Sequence, residues 1–322
     1  MPESAALESA LRGLGSQSEE ERVNAVRALL PFGGSELHGE QLRGVLPGVL
    51  ADGSARVRRL GLVLASGLLQ GADELMPLAT RFVQDPDGGV RLEAVGVLGE
   101  LGLAETRGAL AAALEDDDAE VRFEAACGMA GLHHSAGLEV LVEALDVAAW
   151  RFRALACLGL LGDVRALAAV QVLARKFFLS SFDRTQAMGV ALKLGDSSAA
   201  RHLFERSRKR WGPDRAYALE LLGELKPDGA RARLTEVVLD AKDKCRGAAA
   251  RALGRHGGEG VGEQLLSLFQ DATLPESVRL DAAEGLVLLG EPRWREHLCG
   301  AVDALPGAEA QQELKALLED AA

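Results

Sequence analysis

Hydrophobic and polar positions alternate along this chain in a pattern that recurs. From Asp85 to Gly102 an acidic turn leads into Val90-Arg91, and Val90, Ala94, Val97, Leu98 and Leu101 then share one helical face before a closing Gly102. That spacing predicts a short amphipathic helix with an Asp-rich start and a glycine stop. Aligned on its arginine, the stretch returns at Arg22, Arg58, Arg91, Arg122, Arg151, Arg184, Arg215, Arg246 and Arg279, at intervals of 29 to 36 residues. Three positions on stand Ala25, Gly61, Ala94, Ala125, Ala154, Ala187, Ala218, Ala249 and Ala282. Seven positions on stand Leu29, Ala65, Leu98, Met129, Leu158, Ala191, Leu222, Leu253 and Leu286. Nine coincident copies of three positions identify a repeat protein.

A second apolar run precedes each of these helices: Ala6, Leu7, Ala10, Leu11 and Leu14 in the first unit, Leu46, Val49 and Leu50 in the second. Each unit therefore reads as helix, acidic turn, helix, with connections of ordinary length. The units fall at about 1–35, 36–71, 72–104, 105–135, 136–164, 165–197, 198–227, 228–258 and 259–290. A cap at 291–322 holds a helix around Trp294 and a final helix with Leu314, Leu317 and Leu318. The expected fold is all-α: an α-solenoid of about nine helix pairs with a C-terminal capping helix, one array over 1–322 without a domain boundary. Composition agrees, because 48% of residues are hydrophobic but only 4% aromatic, and small side chains suit closely stacked helices.

The columns have physical roles. Asp52, Asp85, Asp116 and Asp240, six residues before their arginines, are placed to cap the second helix at its positive end. Each arginine can reach that carboxylate or the one in the adjoining repeat, giving a charge ladder. Alanine lets two helices cross closely, and the leucine fills the space beside it. Two, five and nine residues after the arginine stand Glu93, Glu100, Glu124, Arg153, Gln186, Lys193, Tyr217, Glu220, Glu224, Arg251, Arg255, Asp281 and Glu284. These are expected to point away from the inter-repeat core, towards the concave face, as a mixed, mildly acidic surface.

Asp, four to six residues, Val-Arg, Ala three on and Leu-Gly at the end resemble the HEAT repeat, in the short variety known from phycobilisome lyases and many bacterial regulatory proteins. The resemblance implies an α-solenoid and, as first expectation, a non-enzymatic scaffold or regulatory adaptor that binds another protein through the solenoid surface. It also admits a phycobilin-lyase-like enzyme or chaperone acting on a chromophore-bearing partner, and a DNA-lesion-binding array.

Charge narrows these. A formal net charge of −12 argues against nucleic acid as partner, and against adsorption to anionic lipid. The 29 Arg against 7 Lys, with the Ala and Gly content, suggest a GC-rich bacterial genome. No apolar run is long enough to span a bilayer, the first residues lack the features of a signal peptide, and a cytoplasmic location is expected. Cys127, Cys157, Cys245 and Cys299 show no CxxC spacing and read as small apolar residues of a reducing compartment. His38, His133, His134, His202, His256 and His297 are scattered, with His133-His134 at a helix end where free carbonyls lie. No GxSxG, P-loop or HExxH occurs, so no catalytic residue, metal or cofactor is expected.

One region departs from the pattern. Residues 150–217 hold eight of the thirteen aromatics: Trp150, Phe152, Phe177, Phe178, Phe182, Phe204, Trp211 and Tyr217. They also hold the dense basic run Arg206, Arg208, Lys209 and Arg210. In repeats six and seven Val-Arg becomes Asp183-Arg184 and Asp214-Arg215, and the upstream Asp is missing from its place. Regular repeats lie on both sides, so a local constraint has overridden packing there. The expected partner-binding set is Phe177, Phe178, Phe182, Arg206, Arg208, Lys209, Arg210, Trp211 and Tyr217, with an acidic segment as the matching partner chemistry.

Overall fold

A computed structural model describes residues 2–320 of the chain, apart from 36, 70 and 306. Four of its second helices begin where short polar side chains turn back on the backbone. Ser18, Asp87, Asp118 and Ser180 accept hydrogen bonds from the amides of Glu21, Val90, Glu120 and Asp183, at 2.8–3.4 Å. All four stand four residues before a column arginine. The capping position is thus two residues later than the expected one. Asp52, Asp85 and Asp116 instead accept from the amide two residues on (Ser54, Asp87, Asp118), which tightens the turn and leaves the carboxylate facing the preceding repeat.

Residues 1–163 form one compact unit. Its helices pair as α1 (Pro2–Gly13) with α2 (Glu19–Leu29), α3 (Gly39–Leu50) with α4 (Ala55–Leu68), α5 (Ala72–Phe82) with α6 (Gly88–Leu101), α7 (Arg107–Ala113) with α8 (Ala119–Gly131) and α9 (Leu138–Ala144) with α10 (Arg151–Leu161). Residues 164–322 form a second unit. There α11 (Leu167–Arg175) pairs with α12 (Ser181–Lys193), α13 (Ala200–Arg208) with α14 (Arg215–Leu225), α15 (Ala230–Leu239) with α16 (Arg246–His256) and α17 (Val261–Gln270) with α18 (Glu276–Leu288). The cap is itself a pair, α19 (Pro292–Ala301) and α20 (Ala308–Asp320), with Trp294, Leu314 and Leu318 buried; residues 321 and 322 lie outside the described residues. Among the described residues there is no strand.

The predicted columns form the core. Leu29, Ala65, Leu98, Met129, Leu158, Ala191, Leu222, Leu253 and Leu286 are each 0% exposed, and the alanines from Ala94 to Ala282 in their column are equally closed off. Small residues let second helices touch: a Cβ on Gly99 would lie 3.2 Å from the Cα of Gly128, on the neighbouring α8. The exits follow the glycine column. At the eleventh position after the arginine, Gly102, Gly162, Gly195, Gly257 and Gly290 all have positive φ. His133 (φ 52°) and Lys226 (φ 51°) hold the same column position without glycine's freedom. His133 therefore ends a helix by backbone shape, and the Nδ1 of His134 accepts from the Ala136 amide instead of meeting a free carbonyl.

The arginines do two jobs. Arg22, Arg58, Arg91 and Arg122 each donate through one nitrogen to carbonyls five and six residues back, in the turn after the first helix. Arg22, Arg58 and Arg91 also grip the next repeat's aspartate with two bonds apiece, Arg22–Asp52, Arg58–Asp85 and Arg91–Asp116, at 2.7–3.0 Å. The grip of Arg22 and Arg91 holds Asp52 and Asp116 below the ordinary carboxylate range; for Asp85, burial works the other way but Arg58 and the Asp87 amide outweigh it. In the second unit Arg184, Arg246 and Arg279 reach back to carbonyls of Ala174, Val238 and Phe269, at the ends of their first helices.

The second-helix face is less open than expected. Arg153 pairs Glu124 through two bonds, Lys193 pairs Glu224, and Arg251 lies among Glu220, Asp281 and Glu284, while Arg255 joins Glu220. Gln186 is only 3% exposed. These positions bind repeat to repeat, which uses up much of the charge that a partner would otherwise meet.

Candidate functional site

From Phe177 to Tyr217 the aromatic and basic residues of the departing region sort into two layers, all in the second unit. The inner layer is built on Asp214, which occupies the column position of a core valine and is fully buried. A carboxylate in that place must be satisfied, and it is. Thr185 donates to Asp214 Oδ2 at 2.7 Å, Ser181 donates to Oδ1 at 3.3 Å, and Arg206 forms an ion pair with Oδ1. His202 Nε2 lies 3.3 Å from the Thr185 hydroxyl and half-buried, and burial, with Arg206 nearby, pulls its pKa below the ordinary histidine value. Gly212, at φ 141°, closes over this group, since a Cβ there would meet the Arg206 guanidinium at 2.5 Å. Asp214 thereby ties the start of α12 to the turn before α14.

This inner layer corrects part of the expected set. Arg206 is a structural ion-pair partner with 12% of its side chain exposed, so it does not present its charge to a binding protein. Tyr217 is half-buried, stacked on Phe182 with ring centroids 4.9 Å apart, and packed against the core of the second unit. Phe182 and Tyr217 thus hold two neighbouring second helices together; a phenylalanine-to-tyrosine stack does there what small residues do elsewhere.

The outer layer is exposed. Phe177 and Phe178, in the turn between α11 and α12, are 88% and 95% exposed and contact each other edge to face at 5.0 Å. Trp211, in the turn between α13 and α14, is 76% exposed. Arg208, Lys209 and Arg210 are exposed beside it, with the Arg208 guanidinium 5.8 Å from the Phe204 ring centre. Lys244, from the corresponding turn of repeat eight, lies over the Trp211 ring at 5.4 Å. Lys244 escapes the sequence reading because its own repeat looks regular; it sits next to Asp243, the residue that Arg215 grips with two bonds. Asp243, and not Asp240, therefore carries the ladder in repeat eight. The charge balance around these turns is basic on a chain that is acidic as a whole.

Elsewhere the surface offers a cleft of about 310 Å³ between α18 and α20, lined by Glu276, Asp281, Glu284, Glu309 and Glu313. Burial raises the pKa of Asp281 and Glu284 despite Arg251. Among the described residues no cluster of three or more His, Cys, Asp and Glu could hold a metal ion, and no helix is long and apolar enough to cross a membrane.

Stacked helix pairs joined by an arginine–aspartate ladder define an α-solenoid. A family model for HEAT repeats matches residues 42–126, 73–161 and 201–287, well over half of the sequence, and the chain belongs to that family. Among curated proteins no sequence matches. Of solved structures, an engineered protein is 17% identical over 98% of this chain and 98% of its own, with a TM-score of 0.43. The complex of CpcE and CpcF of phycocyanin lyase from a Nostoc species is 19% identical over 79% of this chain and 97% of its own, TM-score 0.46. Importin beta is 13% identical over 99% of this chain and 52% of its own, TM-score 0.44.

Proposed function

We propose that the chain is a non-enzymatic HEAT-repeat adaptor that binds another protein through the turns of repeats six and seven. The observation that carries this reading is the exposure of Phe177, Phe178 and Trp211 in two turns that the Asp214 network holds in place. Three large aromatics in water cost solvation that a solenoid of buried leucines and alanines has no packing reason to bear. Arg208, Lys209, Arg210 and Lys244 beside them favour an acidic partner segment that offers apolar side chains between its carboxylates. Phe177, Phe178 and Trp211 act as anchors; Arg208, Lys209 and Arg210 steer association.

The test uses variants outside the buried layer. Charge reversal at Arg208 and Lys209 slows association with the partner, most strongly at low salt. Trp211→Ala weakens binding by about 2 kcal/mol while melting stays as in the parent. Unchanged affinity in both well-folded variants moves the site elsewhere on the solenoid. Absorbance of the purified protein tests the chromophore-handling alternative, and a gel shift with duplex DNA the lesion-binding one: bound pigment or salt-sensitive retention of DNA overturns the adaptor reading.

A further inference from the structure

Cys127 and Cys157 are thirty residues apart in sequence, one repeat length, and both lie on second helices, α8 and α10, that pack against each other in the first unit. One turn earlier on the same two helices, Arg153 donates two bonds of 2.5 Å to Glu124, which fixes how α8 and α10 face each other. Residues three and four positions further on continue along the same face, so the next rung after Glu124–Arg153 is Cys127–Cys157. The two thiols therefore face each other across the α8–α10 seam, close enough to perturb each other's ionisation. Cys127 is buried and Cys157 half-buried, so solvent reaches the second residue of the pair more readily than the first.

We propose that Cys127 and Cys157 are a reversible dithiol–disulfide pair that hydrogen peroxide closes, linking repeats four and five covalently. Nothing in the partner reading requires it, and it stands whether or not the turns of repeats six and seven bind a protein. The chemistry follows from the asymmetry of the pair. The neighbouring Cys127 thiol and the positive charge of Arg153 lower the pKa of Cys157, against its burial. Its neighbour Cys157, with burial, raises that of Cys127 and keeps it protonated. Cys157, the more accessible of the two, is therefore the attacking thiolate. Its sulfur attacks one peroxide oxygen, the O–O bond breaks, and the departing oxygen leaves as water after protonation, giving a sulfenic acid. The Cys127 sulfur then attacks the Cys157 sulfur, hydroxide leaves, and the Cys127 proton converts it to a second water. Two thiols lose two electrons and two protons to the peroxide, and a small-molecule dithiol restores them by exchange.

The full chain carries its own test. Trypsin cutting after Arg122, Arg151, Arg153 and Arg165 puts Cys127 in the peptide 123–151 and Cys157 in the peptide 154–165. After treatment with hydrogen peroxide and alkylation, we expect loss of two of the four alkylatable thiols and a linked 123–151/154–165 peptide that disappears with dithiothreitol. Cys127→Ser should stop the reaction at a sulfenic acid on Cys157 that dimedone traps; if that variant does not fold, the map of the parent protein decides alone. Over-oxidation of Cys157 in the parent while Cys127 still alkylates, or oxidation confined to Cys245 and the exposed Cys299, overturns the proposal.

Discussion

The turns of repeats two to four and those of repeats six and seven connect the same pair of helices with opposite chemistry. In the former, an aspartate locks the turn and receives the arginine of the preceding repeat, so both members of that pair are spent within the solenoid. In the latter, the aspartate has moved to the core position, where Asp214 gathers Ser181, Thr185 and Arg206 beneath the surface. Moving the anchor inward frees the outside of the turn, and Phe177, Phe178 and Trp211 occupy it. The difference teaches that the irregular stretch is built in two parts, a buried polar group that replaces the ladder and an exposed aromatic and basic rim.

Breaking the inner part should have the largest effect. Asp214→Val restores the regular column residue but leaves Arg206 without its carboxylate, and should cost about 3 kcal/mol in a chemical melt. Adding Arg206→Met should recover much of that loss, because removal of a whole buried pair is far cheaper than removal of half. If Asp214→Val alone melts like the parent, the polar group does not hold these turns.

Breaking the rim should leave stability alone. Trp211→Ala is expected to cost about 2 kcal/mol of partner affinity, measured by titration calorimetry, with a melting free energy within about 0.5 kcal/mol of the parent. Arg91→Ala, in the regular turns, should show the reverse: a stability loss of about 1–2 kcal/mol from the broken pair with Asp116 and the uncapped carbonyls, and no change in affinity.

The regular turns should also weaken in acid. Asp52, Asp85 and Asp116 have folded pKa values below the unfolded ones, so their contribution is complete above the ordinary carboxylate value near 4. It fades as pH falls through the depressed folded values. The slope of stability against pH below about 4 should therefore be shallower in Arg91→Ala than in the parent, read from denaturant melts at each pH.

The smallest effect concerns the helix exits. Lys226→Gly and His133→Gly relieve a left-handed backbone at the glycine column and should each stabilise by about 0.5 kcal/mol.

The fold was legible because its core is periodic. Nine arginines with an alanine and a leucine at fixed offsets located every second helix, and the leucine column proved wholly buried. The turn chemistry was only half legible: an aspartate near a helix start reads as a cap, and sequence spacing does not distinguish a cap from a turn-locking residue two positions earlier. Tyr217 and Arg206 look like surface residues by type, yet stacking on Phe182 and pairing with Asp214 bury them. Lys244 and Asp243 were hidden because their importance arises from a neighbouring repeat. The Cys127–Cys157 pair was hidden in the same way, since contact across one repeat length leaves no local motif.

The account stands most directly on a comparison of what three immobilised proteins retain from extracts of the native organism: the parent, Arg91→Ala, and Trp211→Ala combined with Arg208→Glu and Lys209→Glu. The prediction is a common protein retained by the parent and by Arg91→Ala and lost by the triple variant, which melts like the parent. Retention of the same proteins in equal amounts by a triple variant that melts like the parent contradicts it.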